Sequence, residues 1–392
     1  MNLLMIHSDR DEMYGAVHSM LELLTNLNKN YNVIPTLVVS KEGFSTEYCK
    51  KMGWNYIVAG HCNFMMGAGT KKKQRIRDLF KLLFYLRYRI KNFFAIKKIE
   101  KQIDFNNIDL IHTNVNVCDI GAVLSRKHQI PHVWHLREFG DLDYNRIVFR
   151  KKYINFMNDN CDMFFAISNA VRKHWIAKGL SAKKVVTIYN GVDIINSKNN
   201  TDSVNNQKIN FCFSGSISES KGQYKVIEAL SKINELKLKK IHVDIIGDGP
   251  ADYVNKLKRN VELYNLNDVV TFLGYQKNVR DLLGKYDVGL MCSRSEAFGR
   301  VTIEYMVSGL CVLASNRGAN IELINDKKTG LLFDYENDKD LKEKIEWCID
   351  NYSDIKKIGD NSQKYAISNF TSEINAKNIY SSYLKVLGEA YE

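Results

Sequence analysis

The sequence has little proline and no long hydrophobic run. Three prolines in 392 residues, with 45% hydrophobic and 26% charged residues, exclude a disordered or fibrous chain and predict folded domains throughout. No apolar stretch approaches the roughly 20 residues of a transmembrane helix. The first residues include acidic side chains where a signal peptide has basic ones. We therefore expect a cytoplasmic protein that is neither secreted nor membrane-spanning.

Paired cysteine motifs are also missing. None of the eight cysteines forms a Cys-x-x-Cys pair, and most lie in apolar runs such as Phe211-Cys212-Phe213. This pattern favours neither disulfides nor zinc, and it is typical of thiols in a reducing compartment. Two Asp-x-Asp pairs, Asp9–Asp11 and Asp141–Asp143, could hold a metal-bound diphosphate, but such short matches often arise by chance. We expect no metal site and no cofactor.

The length and the hydrophobic pattern predict two α/β domains. Domains of about 100–200 residues make two the first expectation for this chain. Short β-branched runs alternate with longer amphipathic stretches, which is typical of parallel sheets covered by helices. Residues 193–208 are rich in Asn and Ser and predict a linker. We expect domains over residues 1–194 and 195–370, and a C-terminal helix over 371–392 that packs back on the first domain. Candidate strands are 3–7, 33–39, 56–59, 110–113, 132–136, 164–167, 185–189, 209–213, 243–246, 269–273, 288–291, 312–314 and 331–333.

Two glycine turns in the second half follow candidate strands. Gly215 and Ser216 come after the strand 209–213, and Lys221 stands just before a helical pattern. Such a turn directs backbone N–H groups and a helix N-terminus at an anion, and the lysine adds a positive charge. Gly247 ends another strand at the sheet edge where open α/β folds bind ligands. Each turn alone is equally consistent with a purely steric need for glycine.

Two glutamates flank the start of a predicted helix in residues 295–309, which read SEAFGRVTIEYMVSG. Glu296 precedes the helix, and Glu304 lies inside it among apolar neighbours, where a carboxylate needs a partner. Eight helical residues span about 12 Å, which is comparable to the distance from ribose to hexose in a nucleotide sugar. The amides of residues that open the helix would face the charge between them: Phe298, Gly299, Arg300 and Val301.

These motifs, in this order, resemble the C-terminal domain of the retaining family-four glycosyltransferases, which have the GT-B fold. The motifs that carry the resemblance are Gly215…Lys221-Gly222, Gly247-Asp248-Gly249-Pro250, Phe272-Leu273-Gly274-Tyr275, Glu296…Glu304 and Thr329-Gly330-Leu331-Leu332. Residues 109–112, 166–168 and 188–193 resemble the family's first domain and hinge. The resemblance implies two Rossmann-like domains that face a central cleft, and a nucleotide diphosphate sugar, of the UDP or GDP type, as donor substrate.

The resemblance also implies roles for individual donor-side residues. Lys221 would bind the pyrophosphate, Glu296 the transferred sugar and Glu304 the ribose, with Tyr275 beside the base. Ser216 stands where the family commonly has an arginine that contacts phosphate, so more of the charge would fall to Lys221 and to helix N-termini. Arg294 and Arg300 are two alternatives for replacing that arginine.

Polar residues end the candidate strand 132–136 in the first half. A histidine here lines the catalytic cleft in similar enzymes, so we expect His135 to be catalytic together with Glu296 and Lys221. The alternative is that His135 only packs beside Trp134. Arg137 and Gly15, which is all that remains of the family's N-terminal glycine-rich turn, are expected on the acceptor side. The resemblance implies transfer in which the leaving phosphate helps to take the acceptor proton, so no strong protein base is required.

Positive charge is concentrated in one segment of the first half. The chain has a net charge of +12, and residues 71–100 contain eleven bases against two acids. Between Lys71 and Lys98 the bases alternate with apolar residues at helical spacing, namely Leu79, Leu83, Leu86, Ile90, Phe93 and Phe94. One interpretation is a helix in an anionic membrane interface. The other is a surface helix whose apolar stripe packs on the core. We expect a mixed role, in which the stripe is partly core and the exposed basic rim contacts the membrane. No recognition motif accompanies the patch, so we expect no nucleic-acid partner.

These observations predict a retaining hexosyltransferase that is bound peripherally at the inner face of the cell membrane. Its expected acceptor is a lipid-linked glycan in bacterial surface polysaccharide synthesis. Three alternatives stay open. One is a glycosyltransferase with a soluble small-molecule or protein acceptor, and another is a sugar epimerase of the same two-domain shape. The third is a non-catalytic module that binds sugar nucleotides or membranes.

Overall fold

A computed structural model describes residues 1–8, 15–67, 80–140, 146–150, 152–194 and 208–388. The chain divides into two compact units, Met1–Gly191 with Ser372–Glu392, and Val192–Thr371. The division lies between Gly191 and Val192 rather than after residue 194, and most of the expected linker falls outside the described residues. Each unit is built on a parallel sheet with helices, so the predicted α/β class is confirmed.

The first unit has a seven-stranded sheet in the order β3-β2-β1-β5-β6-β8-β9, and every pairing in it is parallel. The strands β1 to β9 are Asn2–Ile6, Ile34–Val39, Asn55–Val58, Met65–Gly67, Leu110–Thr113, His132–Leu136, Arg146–Val148, Met163–Ala166 and Val185–Thr187. The helices α1 to α6 are Gly15–Tyr31, Phe44–Met52, Lys81–Gln102, Ile120–His128, Tyr153–Asp159 and Asn169–Ala177. Strands β4 and β7 form a separate antiparallel pair that the sequence pattern did not predict. With three residues each, they are too short to show an alternation.

The second unit has a six-stranded sheet in the order β12-β11-β10-β13-β14-β15, again with parallel pairing throughout. The strands β10 to β15 are Ile209–Ser214, Ile241–Ile246, Val270–Gly274, Val288–Met291, Cys311–Ser315 and Leu331–Phe333. The helices α7 to α14 are Gln223–Leu230, Glu235–Leu238, Ala251–Leu263, Val279–Leu283, Arg300–Val307, Asn320–Leu323, Asp340–Asp350 and Tyr352–Asn369. The strand order reverses between β10 and β13, so the loops after these strands border the crevice where such sheets bind ligands.

The C-terminal helix α15, Ser372–Leu387, belongs to the core of the first unit. Its buried residues Ala376, Ile379 and Tyr383 lie in the same apolar cluster as the buried side of helix α1. The ring of Tyr380 stacks on the ring of Tyr31, with 4.4 Å between the ring centroids. The chain therefore returns to its first unit after completing the second.

The basic helix α3 contacts the first unit through a narrow face. Only Tyr88, Asn92, Ala95 and Ile99 are buried among its residues. Five residues of the predicted apolar stripe are exposed instead, and so is Leu82, with 45–68% of each residue accessible to solvent: Leu82, Leu83, Leu86, Ile90, Phe93 and Phe94. The expectation that this stripe is partly core is wrong, because the opposite face of the helix is the one that packs on the unit, with Ala95 and Ile99 in its apolar core. Leu79 and the bases from Lys71 to Arg77 lie outside the described residues.

Two polar contacts anchor the buried face of α3. The Tyr88 hydroxyl donates a short hydrogen bond to Asp119, which also accepts from Arg150 Nη2 at 2.6 Å. Asn92 Oδ1 accepts from the backbone N–H of Cys62 at 2.7 Å, and its Nδ2 donates to the Cys62 carbonyl at 3.0 Å. In the part of the chain that the structure describes, no helix is long and apolar enough to cross a membrane.

We expect Ile379→Ala to destabilise the first unit by about 2–5 kcal/mol, because it removes a fully buried side chain from the core. Urea unfolding followed by tryptophan fluorescence measures this, since three of the four tryptophans lie in the first unit. Lys377→Ala, at an exposed position of the same helix, is the control. Equal unfolding midpoints for the two variants would contradict the packing of α15 on this unit.

Candidate functional site

The loops after β10 and β11 touch backbone to backbone at the carboxyl edge of the second sheet. Gly247 has φ +139°, and a Cβ there would overlap the carbonyl of Gly215. A Cβ at Gly249 would overlap the carbonyl of Ile217. The N–H of Ile217 donates to the carbonyl of Asp248 at 2.8 Å. The structure thus brings the two predicted glycine turns together, and glycine is required because no side chain fits between them.

Lys221 and Glu296 form an ion pair at the point where the strand order reverses. Lys221 Nζ lies 2.9 Å from Glu296 Oε2, and the N–H of Gly299 donates to Glu296 Oε1 at 3.2 Å. Lys221 ends a one-turn 3₁₀ helix after β10, whereas Glu296 lies in the loop after β13. The Glu296 carboxylate is therefore held between a cation and the start of helix α11, two groups that both favour negative charge.

The loop that carries Glu296 is itself supported by a close backbone contact. The carbonyl of Glu296 accepts from the N–H of Ala319 at 2.8 Å. Gly318 has φ +58°, and a Cβ there would overlap the backbone of Glu296. This glycine was not singled out in the sequence, although it determines how closely the neighbouring loop approaches the acid.

Glu304 is paired with two arginines, as a carboxylate among apolar neighbours requires. Its Oε1 accepts from Arg280 Nη2 at 3.0 Å, from Arg280 Nε at 3.1 Å and from Arg300 Nε at 3.0 Å. Arg300, one of the two candidates for the missing arginine, is thus paired with Glu304, while Arg294 is exposed. Arg280 was not predicted as a site residue, because it comes from helix α10, 24 residues before Glu304 in the chain.

Helix α11 is fixed to the sheet by Tyr305. The Tyr305 hydroxyl accepts from the backbone N–H of Ser214 at 2.6 Å and donates to Ser214 Oγ at 3.0 Å. Burial raises the pKa of Tyr305 well above its usual range, so the hydroxyl keeps its proton. A Cβ at Gly289 on β13 would overlap the Tyr305 ring. A glycine inside a strand is the signal that could have revealed this close approach.

The other residues that were predicted to bind the donor differ in exposure. Tyr275 follows β12 and is 63% exposed, whereas Phe298 is buried and Val301 is half-buried. Ser216 is exposed, and its carbonyl accepts from Gln223 Nε2 at 3.0 Å. Gln223 is fully buried and ties the Ser216 loop to helix α7, a function that the sequence did not indicate.

In the first unit, His135 and Arg137 are part of a buried polar network. Arg137 Nε donates to Asn114 Oδ1 at 2.8 Å, and its Nη1 donates to Asn190 Oδ1 at 2.8 Å. His135 Nδ1 lies 3.2 Å from His112 Nε2. Neighbouring residues of a strand point to opposite faces, so His135 does not share a face with Trp134. Instead it faces His112 and Phe165.

The predicted glycine turn before α1 and the two Asp-x-Asp pairs lie partly or wholly outside the described residues. Gly15 is the exposed first residue of helix α1, and the residues just before it, including Asp9 and Asp11, lie outside the described ranges. Asp141 and Asp143 also lie outside them. Within the described ranges, no group of three or more His, Cys, Asp or Glu side chains could hold a metal ion.

Comparisons with known proteins show the family and the fold of the chain. The sequence profile of glycosyl transferases group 1 matches residues 195–365, and that of glycosyltransferase family 4 matches residues 47–195. The crystal structure of HepE from Anabaena in complex with UDP superposes with a TM-score of 0.78 at 20% identity, and the alignment covers 98% of this chain and 100% of that one. At this identity the likeness shows the fold alone, which is GT-B.

Two relatives with similar sequences identify the family of the chain. An O-antigen biosynthesis glycosyltransferase of Escherichia coli, WclY, is 30% identical over 196 residues, which are 47% of this chain and 50% of that protein. An uncharacterized glycosyltransferase of Methanocaldococcus jannaschii, MJ1178, is 30% identical over 275 residues, which are 69% of this chain and 74% of that protein. The chain therefore belongs to the family-4, group 1 glycosyltransferases.

Proposed function

We propose that this protein transfers a hexosyl residue, with retention of anomeric configuration, from a nucleotide diphosphate sugar to a lipid-linked glycan in bacterial surface polysaccharide synthesis. Residues of the second unit support the donor, and helix α3 supports the place of action.

The observation that carries the donor assignment is the pair of acids flanking the start of helix α11. Glu296 and Glu304 are each already held by cations, Lys221 for one and Arg280 with Arg300 for the other. In our proposal the donor diphosphate lies at the Gly215 turn and interacts with Lys221, while Glu296 and Glu304 accept hydrogen bonds from sugar and ribose hydroxyls. The binding of UDP by HepE supports a nucleotide of the UDP type.

The chemistry that we propose needs no protein base and no metal. Fixed positive groups stabilise charge that develops on the leaving diphosphate, and this electrostatic term is often the largest in catalysis. In our proposal Lys221 and the N–H groups that open α11 supply this positive charge. The leaving phosphate oxygen takes the proton of the acceptor hydroxyl as the new glycosidic bond forms and the sugar–phosphate bond breaks on the same face.

Helix α3 supports an acceptor at an anionic membrane. At about 100° per residue, its six exposed apolar side chains lie within about 120° of the helix circumference, centred opposite the buried face. Arg87, Lys91 and Lys98 flank this arc on one side. All three are exposed. Apolar side chains bordered by bases are what a helix needs to lie in the interface of an anionic bilayer. The O-antigen assignment of the E. coli relative is consistent with a lipid-linked glycan as acceptor.

We expect Glu304→Gln and Lys221→Ala each to lower nucleotide affinity by about tenfold or more, because a hydrogen bond to a charged group contributes about 1.5–3 kcal/mol. Titration calorimetry with UDP and with GDP measures the affinity. The control is Glu235→Gln, which removes an exposed carboxylate from an i,i+4 ion pair with Lys239. Wild-type affinity for both nucleotides in both site variants would refute the donor site.

We expect the transferred sugar to have the anomeric configuration that it had in the donor, and activity to persist in EDTA. Proton NMR of the product establishes the configuration from the coupling of its anomeric proton. An inverted product would exclude the retaining mechanism. Loss of activity in EDTA that manganese restores would exclude metal-independent transfer.

We expect the double variant Ile90→Ser, Phe94→Ser to lose co-sedimentation with phosphatidylglycerol vesicles, because it removes two exposed apolar side chains from the arc on α3. Leu236→Ser with Leu263→Ser is the matched control, since both leucines are exposed in the second unit.

Replacing Arg87, Lys91 and Lys98 by glutamine should also weaken binding to these vesicles. Wild-type binding should fall as salt shortens the screening length from about 10 Å at 0.1 M to about 3 Å at 1 M. Wild-type protein that ignores these vesicles at low salt would rule out the membrane role.

A further inference from the structure

The three hydrogen bonds that hold the Glu304 carboxylate all end on the same oxygen atom. Arg280 donates to Oε1 from Nη2 at 3.0 Å and from Nε at 3.1 Å, and Arg300 donates to it from Nε at 3.0 Å. Oε2 has no such donor among the described residues, and it is not fully buried. The side chain as a whole remains 15% exposed. One oxygen of this carboxylate is thus occupied by the protein, and the other is open to a ligand.

The occupation of Oε1 determines how Glu304 can bind anything further. The two oxygens of a carboxylate offer about four lone-pair sites in total. Three donors at Oε1 leave the sites of Oε2 for hydroxyl groups. The last torsion of a glutamate side chain is broad and nearly two-fold, so without these donors the two oxygens could exchange places. The arginines therefore turn a symmetric carboxylate into a group with one open side.

The two arginines restrain Glu304 to different degrees. Arg300 lies four residues before Glu304 on α11, and a base that precedes the acid is the weaker order for an ion pair on a helix. A positive charge in the first turn of a helix is also unfavourable. Arg280 comes from a different helix, α10, and donates with two nitrogens. Arg280 is therefore the stronger restraint on the direction of the carboxylate.

Arg280 also fixes the segment that follows β12. This segment begins at Gly274, whose carbonyl accepts from the N–H of Gly247 at 2.8 Å. It ends at α10, where Arg280 is bound to Glu304. Tyr275, which we expect beside the base, lies between these two contacts. The segment is therefore held at one end by the Gly247 turn and at the other end by Arg280.

These contacts form a closed series around the carboxyl edge of the second sheet. The turn after β10 touches the turn after β11, which in turn binds the end of β12. Arg280 then connects the segment after β12 to helix α11, and Tyr305 on α11 binds back to Ser214 at the end of β10. Loss of Arg280 would open this series at the position of Glu304.

We propose that Arg280 is a positioning residue for the nucleotide. It holds Oε1 of Glu304 so that Oε2 accepts hydrogen bonds from the hydroxyl groups of a ribose, and it thereby selects ribonucleotides over deoxyribonucleotides. This inference rests on the proposed function for the nucleotide and for the assignment of Glu304 to the ribose. It adds the residue and the oxygen on which the selection depends. All of the residues involved belong to the second unit.

The test is the ratio of the affinity for UDP to the affinity for 2′-deoxy-UDP and for 3′-deoxy-UDP, measured by titration calorimetry on the full chain. Wild-type protein should bind UDP at least about tenfold more tightly than one of the two analogues, because that analogue lacks a hydrogen bond to a charged group. Arg280→Gln should reduce this ratio to about threefold or less, because the carboxylate is then free to turn. Arg259→Gln, at an exposed position on α9, is the control and should keep the wild-type ratio.

Two further variants separate positioning from a merely structural ion pair, whose loss would lower the unfolding temperature without changing the ratio. Arg280→Lys keeps the charge but has one donor nitrogen, so it should also lower the ratio, and it replaces the glutamine variant if that variant does not fold. Glu304→Gln should lower the ratio by itself, and the addition of Arg280→Gln should lower it no further, because Arg280 acts through Glu304.

The possible failures of this proposal and of the proposed function differ. A wild-type ratio in both folded Arg280 variants would overturn the role of Arg280 and leave the donor site standing. Wild-type protein that binds UDP but distinguishes neither analogue would refute the assignment of Glu304 to the ribose, and this inference with it. Failure of wild-type protein to bind UDP or GDP would refute the donor site itself.

Discussion

The candidate site of the second unit depends on the contact between two loop backbones at the carboxyl edge of the second sheet. Gly247 and Gly249 let the loop after β11 reach the carbonyls of Gly215 and Ile217, where any side chain would collide. This contact holds the Gly215 turn, and with it the short 3₁₀ helix that positions Lys221 beside Glu296. Tyr305 meets Ser214 at the end of the same strand. The geometry around the two glutamates therefore follows from a few positions where only glycine fits.

The first unit contains a network of buried polar side chains. Here Arg137 Nε donates to Asn114 Oδ1, and its Nη2 lies 3.4 Å from His135 Nδ1, so one buried guanidinium contacts both side chains. The network reaches the C-terminal helix through Tyr383. This gives α15 a second role besides apolar packing, because the Tyr383 hydroxyl is hydrogen-bonded to His112, which comes from a distant part of the chain.

Helix α3 combines firm attachment with an outward apolar surface. Tyr88 and Asn92 provide directional bonds on the buried side, where Ala95 and Ile99 also pack in the apolar core, so this one face attaches the helix. Those residues are consequently free to face outward, between exposed bases. An exposed apolar surface of this kind usually marks an interaction site.

The sequence by itself determined the α/β class, the position of most strands and the family, because strand patterning and glycine spacing are local properties of the chain. It also indicated that Glu304 must have a partner. It did not identify Arg280 as that partner, nor Tyr383 or Gly318, because each contacts a residue more than 20 positions away in the chain, which no local pattern records. It placed the apolar stripe of α3 partly in the core, whereas the structure exposes it. Helical periodicity defines the faces of a helix, but which face is buried depends on the elements that pack against it, and only the tertiary structure decided that.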